Sequence, residues 1–193
     1  MIIGISGKLY SGKDTLAKFL LKHIEEIDEG QYRYDLQSFA YKLKKMGAFL
    51  TNTPQEWWFT QEGKNKYLPS WEMTVGQFQQ KLGTEAMRDG LHKNGWVISL
   101  MSEYQFYSKW IITDVRFLNE AEAIKDKGGV IIRIEGDPTG ERKKSTRDLN
   151  HPSETSLDQY PNFDYKILNI TPLSYLDQQA KSIIVNLHQS GKL

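Results

Sequence analysis

Two spacings of apolar residues run along the chain, and they predict strands and helices in turn. The run IIGIS at 2–6 is short, apolar and followed by a glycine, which is typical of a buried parallel strand. In 13–27, Leu16, Leu20 and Ile24 recur at the spacing of one helical face, which predicts a helix. The same patterns predict further strands at 34–40, 110–115, 130–135 and 163–169, and further helices at 41–50, 75–91, 96–107, 119–127 and 173–189.

The order of these elements predicts the fold class. Strands that alternate with helices are typical of a parallel sheet covered on both faces. We therefore predict an α/β fold, a doubly wound parallel sheet of about five strands, in a single domain over residues 1–193. Residues 51–74 carry tryptophans and prolines without clear periodicity, which predicts an irregular insert over the sheet. The polar, charged and glycine-containing stretch 136–154 has the character of a mobile loop.

Composition narrows the class of protein. The chain is 39% hydrophobic and 25% charged, which is ordinary for a globular protein. A formal net charge of +1 gives no sign of a general nucleic-acid binder, which normally carries a basic excess. The lack of cysteine excludes disulfides and thiolate metal sites and favours a reducing cytosol. We expect neither a signal peptide nor a membrane span, because no apolar run is long enough.

The strongest chemical signal is the stretch GISGKLYSGKDTLAKFL, residues 4–20. Gly7, Gly12 and Lys13 fit the pattern Gly-x-x-x-x-Gly-Lys, with a predicted strand before it and a predicted helix after it. Backbone N–H groups and the helix N-terminus surround an anion in such a loop, and the lysine adds a full charge. A glycine-rich turn with an exposed lysine is the alternative. The agreement of motif and context favours a phosphate-binding loop.

Asp14 stands where this motif has a hydroxyl residue, and Thr15 follows one place late. A carboxylate beside phosphates repels them unless a cation lies between, or unless the side chain points away as a helix-start residue. Asp at the first turn of a helix is favourable in itself. Thr15 can supply the hydroxyl that faces Mg²⁺, as in the GKxT arrangement of nucleoside monophosphate kinases. The role of Asp14 stays open at this point.

A second group of candidates lies in TDVRFLNE, residues 113–120. Asp114 and Arg116 come at the carboxyl end of a predicted strand, the edge where open α/β sheets bind ligands. Asp114 suits Mg²⁺ or an acceptor, and Arg116 suits a phosphate through its two-pronged geometry. A capping aspartate and a surface salt bridge are the alternative for this pair.

Two more segments carry charged candidates. In GTEAMRDG, Glu85 and Arg88 are three residues apart and share one helix face, so they predict substrate binding or an ordinary solvated ion pair. The loop 136–154 carries Arg142, Lys143, Lys144 and Arg147. Its position before the last strand is where P-loop kinases keep a lid with arginines, so we predict a lid at about 136–152. A solvated charged surface is the alternative, and the catalytic arginine is undecided.

Four segments together resemble the bacteriophage deoxynucleoside monophosphate kinases. They are the loop from Gly7 to Thr15, QKLGTEAMRDGL at 80–91, TDVRFLNE at 113–120 and HPSETSLD at 151–158. The resemblance implies transfer of the γ-phosphoryl group of ATP, with Mg²⁺, to a deoxynucleoside 5′-monophosphate. It also implies a P-loop kinase fold with an acceptor-binding helical region at about 40–105. Animal-type phosphomevalonate kinases look like relatives that share the SGKD form, so Asp14 is a family form of the loop.

The candidate residues follow from the motifs and the resemblance together. The catalytic candidates are Lys13, Asp114, Arg142 and Arg147. The ATP-binding candidates are Gly7, Lys8, Ser11, Gly12, Lys13, Asp14 and Thr15, and the metal candidates are Thr15 and Asp114. The acceptor-binding candidates are Lys44, Glu85, Arg88, Arg116, Glu120, His151 and Glu154. For His151 alone, a hydrogen-bonding or helix-start role is the simpler interpretation.

Other functions stay open at the level of sequence. A kinase for another phosphorylated small molecule, such as phosphomevalonate or dephospho-coenzyme A, would use a similar loop. A non-catalytic nucleotide-binding switch would need no second substrate cluster. The expected partners are ATP and a deoxynucleoside monophosphate, with no nucleic-acid polymer and no membrane, in a monomer or homodimer of the cytoplasm (the host cytoplasm if phage-encoded). The aromatic residues Trp57, Trp58, Phe59 and Trp71 suit base stacking or core packing.

Overall fold

A five-stranded parallel sheet forms the centre of the protein. The structure, a computed structural model, describes residues 1–31, 33–145, 147–170 and 172–193. The strands are β1 (Ile2–Ser6), β2 (Asp35–Gln37), β3 (Tyr67–Leu68), β4 (Met73–Thr74), β5 (Trp110–Val115), β6 (Val130–Glu135) and β7 (Tyr165–Leu168). The main sheet has the order β2-β5-β1-β6-β7 with parallel pairing throughout, and β3 and β4 form a separate antiparallel hairpin. The predicted α/β class is confirmed.

Helices cover both faces of the main sheet. They are α1 (Lys13–Ile27), α2 (Tyr41–Thr51), α3 (Glu56–Phe59), α4 (Gln61–Lys64), α5 (Val75–Lys81), a π-helical segment (Leu82–Leu91), α6 (Gly95–Met101), α7 (Leu118–Asp126), α8 (Pro152–Thr155) and α9 (Leu173–Gln189), with 3-10 turns at Pro69–Trp71 and Arg142–Lys144. One apolar cluster joins α1 and α9 to one face of the sheet, and a second joins α6 and α7 to the other. This is the doubly wound arrangement that the alternating pattern predicts. Among the described residues, no helix is long and apolar enough to span a membrane.

The segment 51–74, predicted to be irregular, has its own regular structure. It contains α3, α4 and the β3–β4 hairpin, and it packs around Trp58, which is fully buried. Gly47 of α2 makes room for that indole, because a Cβ at this position would lie 2.0 Å from Trp58 Cζ3. The segment thus shares a small separate core with α2 and α5. Residue spacing does not indicate this core, because the elements of the segment are only two to four residues long.

Strand β2 is shorter than the predicted strand at 34–40 because the side chain of Asp114 binds the backbone of the residues that would extend it. The Asp114 carboxylate accepts hydrogen bonds from the backbone N–H groups of Phe39 (2.8 Å) and Ala40 (3.0 Å). These donors are therefore directed to Asp114 and not to a neighbouring strand. The chain leaves the sheet after Gln37 and enters α2.

Two predicted helices have different limits or geometry in the structure. The predicted helix at 75–91 is α-helical as far as Lys81 and continues to Leu91 as a π-helix. The predicted helix at 96–107 ends at Met101. Beyond it, the backbone N–H of Ser108 donates to the carbonyl of Gln105 (2.9 Å) and the backbone N–H of Gln105 donates to Ser108 Oγ (3.1 Å). This reciprocal pair closes a turn in place of a further helical turn.

Candidate active site

The glycine-rich loop joins β1 to α1 and has the geometry of an anion cradle. Gly12 has φ +94°, and a Cβ there would lie 2.3 Å from Asn169 Nδ2, so this position requires glycine. The first helical hydrogen bond runs from the N–H of Leu16 to the carbonyl of Gly12 (2.9 Å). The N–H groups of residues 13–15 therefore have no intrahelical acceptor, and the positive end of the helix dipole lies at the same place.

A cavity of about 790 Å³ opens beside this loop, at the carboxyl edge of the sheet. Its size is that of a ligand site. The predicted site residues that line it are Gly12, Lys13, Asp14, Thr15, Lys44, Arg88, Asp114, Arg116, Glu120 and Arg147. The fold thus brings residues from the loop, from α2, from the π-helical segment, from the end of β5 and from the predicted lid to one space.

A hydrogen bond within the protein fixes the Lys13 side chain over the loop. Its ammonium donates a hydrogen bond to the carbonyl oxygen of Lys8 (2.8 Å). Burial and, to a smaller extent, the charge of Arg116 lower the pKa of Lys13 to about 7, and Glu154 and Asp14 oppose this shift. A phosphate in the cavity would favour the charged form of this lysine.

Glu154 connects three parts of the site. Its side chain is 2% exposed, and it accepts hydrogen bonds from the backbone N–H of Leu9 (2.9 Å) and from Arg116 Nη1. Arg147 Nη2 lies 3.5 Å from the same carboxylate. Burial pushes the pKa of Glu154 up, but Arg116 and Arg147 outweigh burial and hold the pKa below its usual range. The glycine-rich loop, the end of β5 and the predicted lid therefore share one buried negative charge.

The two arginines beside Glu154 keep further donors for a ligand. Arg116 Nη1 also donates to the carbonyl of Ser153 (2.7 Å), whereas its Nη2 has no partner in the described parts of the chain. The Arg147 side chain is 9% exposed, and its buried Nε has no hydrogen-bond partner there either. A buried guanidinium N–H without an acceptor is costly, so this arrangement is suited to an incoming anion.

Arg88 is tied into a buried network with Glu120. Arg88 Nη2 pairs with Glu120 Oε1 where both side chains are almost fully buried, and the guanidinium stacks on the Phe117 ring at 3.9 Å. Glu120 also accepts from the backbone N–H groups of Arg116 (2.7 Å) and Phe117 (3.1 Å). Burial raises the pKa of Glu120 to about 7, and the charge of Arg88 opposes this. The network orients Arg116.

Arg88 and Glu85 do not form the solvated ion pair that their spacing suggests. Glu85 is half exposed, does not line the cavity and lies 3.8 Å from His151 Nε2. The π-helical geometry of Leu82–Leu91 explains the separation, because a wider turn places residues three apart on different faces.

Asp114 anchors the segment between β2 and α2. In addition to the two backbone donors of that segment, its Oδ2 accepts a hydrogen bond from Ser38 Oγ (2.7 Å). The carboxylate still borders the cavity. Its described contacts are those of a capping residue, the alternative that the sequence leaves open.

Three P-loop candidates lie outside the cavity wall. The Lys8 ammonium pairs with Asp158 (2.7 Å) and so points away from the cavity. Ser11 is fully buried beneath the loop, and a Cβ at Gly7 would lie 2.5 Å from Ser11 Oγ. Gly7 and Ser11 therefore shape the loop from inside, and a ligand would meet their backbone and not the Ser11 hydroxyl.

Two candidates at the predicted lid also lie outside the wall. Arg142 Nε donates to the carbonyl of Leu9 (2.8 Å), so this arginine fastens the base of the lid segment to the glycine-rich loop. His151 Nδ1 accepts from the backbone N–H of Ser153 (3.2 Å) and caps α8. Burial lowers the pKa of His151. These contacts are those of the helix-start residue that the sequence suggests for His151.

Three residues at the cavity were not among the predicted site residues, although one of them belongs to the aromatic group predicted for base stacking or core packing. Lys64 lies at the end of α4, in a segment whose lack of periodicity gave no signal for it. Asn169 follows β7 and donates to the carbonyl of Ser11 (3.0 Å), and its position at a strand's carboxyl end could have identified it. Of the four aromatic candidates in the insert, Phe59 lines the cavity, whereas Trp58 is a core residue.

The donor set fits a magnesium ion that is held mainly by phosphates. Among the described residues, no group of three or more His, Cys, Asp or Glu side chains could hold a metal ion. Mg²⁺ in kinases is bound through one or two protein oxygens together with substrate phosphates and water. Thr15 and Asp14 line the cavity beside the loop, Asp114 lines it at the end of β5, and their side chains carry oxygens of this kind.

A glycine-rich loop between a parallel strand and a helix, facing a cavity rich in lysine and arginine, defines a P-loop protein that acts on phosphates. Comparison with known proteins gives the family. "Putative deoxynucleotide monophosphate kinase" of Acanthamoeba polyphaga mimivirus is 32% identical over an alignment 206 positions long, which covers 98% of this chain and 98% of the viral protein. The chain belongs to the deoxynucleotide monophosphate kinase family, and the resemblance that the four sequence segments carry is confirmed.

A solved structure also aligns with the chain. Shikimate kinase from Acinetobacter baumannii, in complex with shikimate, aligns over 100% of this chain and 94% of its own, with 14% identity and a TM-score of 0.45. No protein-family model matches the chain.

Proposed function

We propose that this protein transfers the γ-phosphoryl group of ATP to the phosphate of a deoxynucleoside 5′-monophosphate. The observation that carries the proposal is the set of cationic side chains that converge on one cavity from the glycine-rich loop, α2, α4, the end of β5 and the predicted lid. They are Lys13, Lys44, Lys64, Arg116 and Arg147. The triphosphate of ATP alone would need cations only at the loop. Two phosphorylated substrates placed end to end would need cations on the other walls of the cavity as well.

The ATP side of the cavity is the loop and the start of α1. The N–H groups of residues 13–15 and the Lys13 ammonium would bind the β- and γ-phosphates. Thr15 and Asp14 would hold Mg²⁺ together with those phosphates, and the ion when bound neutralises part of their charge. This gives Asp14 a reason to face phosphates, because a cation then lies between them.

The acceptor side is the region at about 40–105, with Arg116 from the end of β5. An oxygen of the acceptor phosphate would attack the γ-phosphorus of ATP, and the bond from that phosphorus to the β–γ bridging oxygen would break and leave ADP. Lys13, Arg116 and Arg147 would stabilise the charge on the moving group. No covalent intermediate on the enzyme is needed.

The lid at 136–152 would supply its catalytic arginine from Arg147. Arg147 borders the cavity and keeps an unpartnered Nε, whereas Arg142 already donates to backbone carbonyls. Asp114 would position the acceptor wall through the segment before α2 and would contact the metal only through water. A cytoplasmic location, which is the host cytoplasm for a phage-encoded chain, and a monomeric or homodimeric state without a nucleic-acid polymer or membrane partner complete the proposal.

The test is a ligand screen on the purified protein. Each of the four deoxynucleoside monophosphates, the matching ribonucleotides, phosphomevalonate and dephospho-coenzyme A is added with MgADP, and the melting temperature is measured. A true acceptor near 100 times its Kd stabilises the fold by about 2.7 kcal/mol, which for this length is a rise of roughly 5–10 °C. We expect this rise for at least one deoxynucleotide.

The same set is assayed for ATP-dependent conversion, because binding alone does not show transfer. Lys13→Ala should lower kcat/KM by at least ~10²-fold, and Lys18→Ala, an exposed change on the same helix, should leave it near the parent value. Turnover of phosphomevalonate or dephospho-coenzyme A without any deoxynucleotide would show a kinase for another small molecule. ATP binding without turnover of any acceptor would show a nucleotide-binding switch.

A further inference from the structure

Lys64 is a positively charged residue at the cavity, and among the described residues its ammonium makes no contact that stabilises the fold. It ends α4 and lines the cavity, and its ammonium has no hydrogen-bond or ion-pair partner in the described parts of the chain. Burial, together with the charges of Lys44, Arg147 and Arg116, lowers the pKa of Lys64 to about 7, and the charge of Asp14 opposes this shift. A partly buried lysine without a counter-ion destabilises a fold, so its presence calls for another explanation.

Local structure holds Lys64 in this position. The Thr60 side chain caps α4 by accepting from the N–H of Gly63 (3.1 Å), and the N–H of Lys64 donates to the carbonyl of Thr60 (3.1 Å). This short, capped helix is packed on the insert's core, because a Cβ at Gly63 would lie 2.2 Å from Trp57 Cα. The backbone of Lys64 is therefore fixed by a capped, packed helix and does not lie in a free loop.

The insert and the lid meet beside this lysine. A Cβ at Gly76 would lie 3.1 Å from Arg147 Cγ and 3.2 Å from the carbonyl oxygen of Lys64. Because Gly76 has no side chain, Arg147 and the end of α4 approach the same point on α5. Two positive residues are thus brought together. Glu154 lies beside the arginine, whereas Lys64 forms no ion pair with a described carboxylate and interacts with Asp14 only at longer range. An anion between them would remove the repulsion.

We propose that Lys64 binds the phosphate of the acceptor monophosphate together with Arg116 and Arg147, at the point where that phosphate meets the γ-phosphate on the glycine-rich loop. This rests on the proposed function and adds a specific contact to it. The assignment to the acceptor follows from position. Lys64 belongs to the insert, and the strongest charge effect on it comes from Lys44 of α2, whereas Asp14 at the ATP side has a smaller effect on it. Lys64 would bind the acceptor phosphate, whose oxygen attacks the γ-phosphorus of ATP.

Matched variants test this contact. Lys64→Met removes the charge and keeps the length of the side chain. Lys66→Met is the control, because Lys66 is 47% exposed and pairs with Glu62 at 3.6 Å on the outside of the same segment. The probes are MgADP and the deoxynucleoside monophosphate that raises the melting temperature most in the screen above. We expect Lys64→Met to weaken monophosphate binding about 10- to 100-fold, the range for a lost charge-assisted hydrogen bond.

Four further results are expected from the parent, these two variants and Lys64→Arg. MgADP binding should stay within about threefold of the parent in both variants, and Lys64→Arg should recover part of the monophosphate affinity because it keeps the charge. Lys64→Met should melt at or above the parent temperature, since it removes a buried charge without a partner. Calorimetry at about pH 8 in two buffers of different ionisation enthalpy should show proton uptake with the monophosphate, smaller in Lys64→Met.

The outcomes separate the two proposals. If the parent binds the monophosphate and Lys64→Met binds it equally well, Lys64 does not contact the acceptor, and the proposed function stands. An equal loss for MgADP and the monophosphate would overturn the acceptor assignment. A parent protein that binds none of the monophosphates would overturn the proposed function, and this inference with it. A variant that melts well below the parent would show that Lys64 has a structural role.

Discussion

Glu154→Gln tests the buried charge that joins the loop, the end of β5 and the predicted lid. The substitution keeps the shape of the side chain and removes one negative charge from a position that is 2% exposed. The amide of glutamine offers one acceptor oxygen and one NH₂ group that can only donate, where the carboxylate now faces Leu9 N–H, Arg116 Nη1 and Arg147 Nη2. One of these donors must therefore face another donor.

The expected loss of stability follows from these contacts. A hydrogen bond to a charged group contributes about 1.5–3 kcal/mol, and an unsatisfied buried donor costs about 1–3 kcal/mol. Their sum agrees with the ~3–5 kcal/mol found when one partner of a buried ion pair is removed. For a chain of this length, 3 kcal/mol corresponds to a decrease of roughly 6–12 °C in melting temperature.

The assay is thermal unfolding without nucleotide, with Glu141→Gln as the control. Glu141 pairs with Lys144 at 2.6 Å, but both side chains are well exposed, so its loss should change stability by less than ~1 kcal/mol. Added sulfate should raise the melting temperature of Glu154→Gln more than that of the parent, because the anion replaces the missing charge between Arg116 and Arg147. A melting temperature within about 2 °C of the parent, with no added response to sulfate, would refute the role given to Glu154.

Two other predictions follow from the loop and from the lysines. Gly12→Ala should abolish nucleotide binding and destabilise the protein more than Gly128→Ala, because both glycines have positive φ but only Gly12 lacks space for a Cβ; equal melting temperatures would contradict this. The pKa of Lys13 and that of Lys64 are about 7 in the folded protein, below the usual lysine value. Between pH 7 and about pH 10 the unfolded chain binds more protons, so the free energy of unfolding should rise with pH. Urea unfolding at several pH values checks this, and the double variant Lys13→Met/Lys64→Met should flatten the rise.

The sequence by itself determined the parallel α/β sheet and the phosphate-binding loop. Strands such as 2–6, 110–115 and 130–135 lie where continuous apolar runs predict them, because a strand buried on both faces must be apolar along its length. The loop is a contiguous motif, so its chemistry is visible without the fold. Residues at the carboxyl ends of parallel strands share one edge, and therefore Asp114 and Arg116 could be placed at the cavity in advance.

The spacing of apolar residues could not predict the structure of segments that lack a regular period. The insert carries Lys64 on a four-residue helix, and such short elements leave no periodic signal. The direction in which Arg88 points depends on the π-helical turn before it, since a wider turn moves each side chain to another face. Sequence spacing alone counts such a segment as an α-helix.

Only the tertiary structure decided which charges meet. Glu154 follows Arg116 by 38 positions and Leu9 by 145, and the carboxylate contacts both because the loop after β1, the end of β5 and α8 converge at one edge of the sheet. The same convergence separates Arg142 from Arg147, which the sequence leaves equivalent. Electrostatic energy depends on distance and burial, and neither is encoded in the spacing of charged residues along the chain.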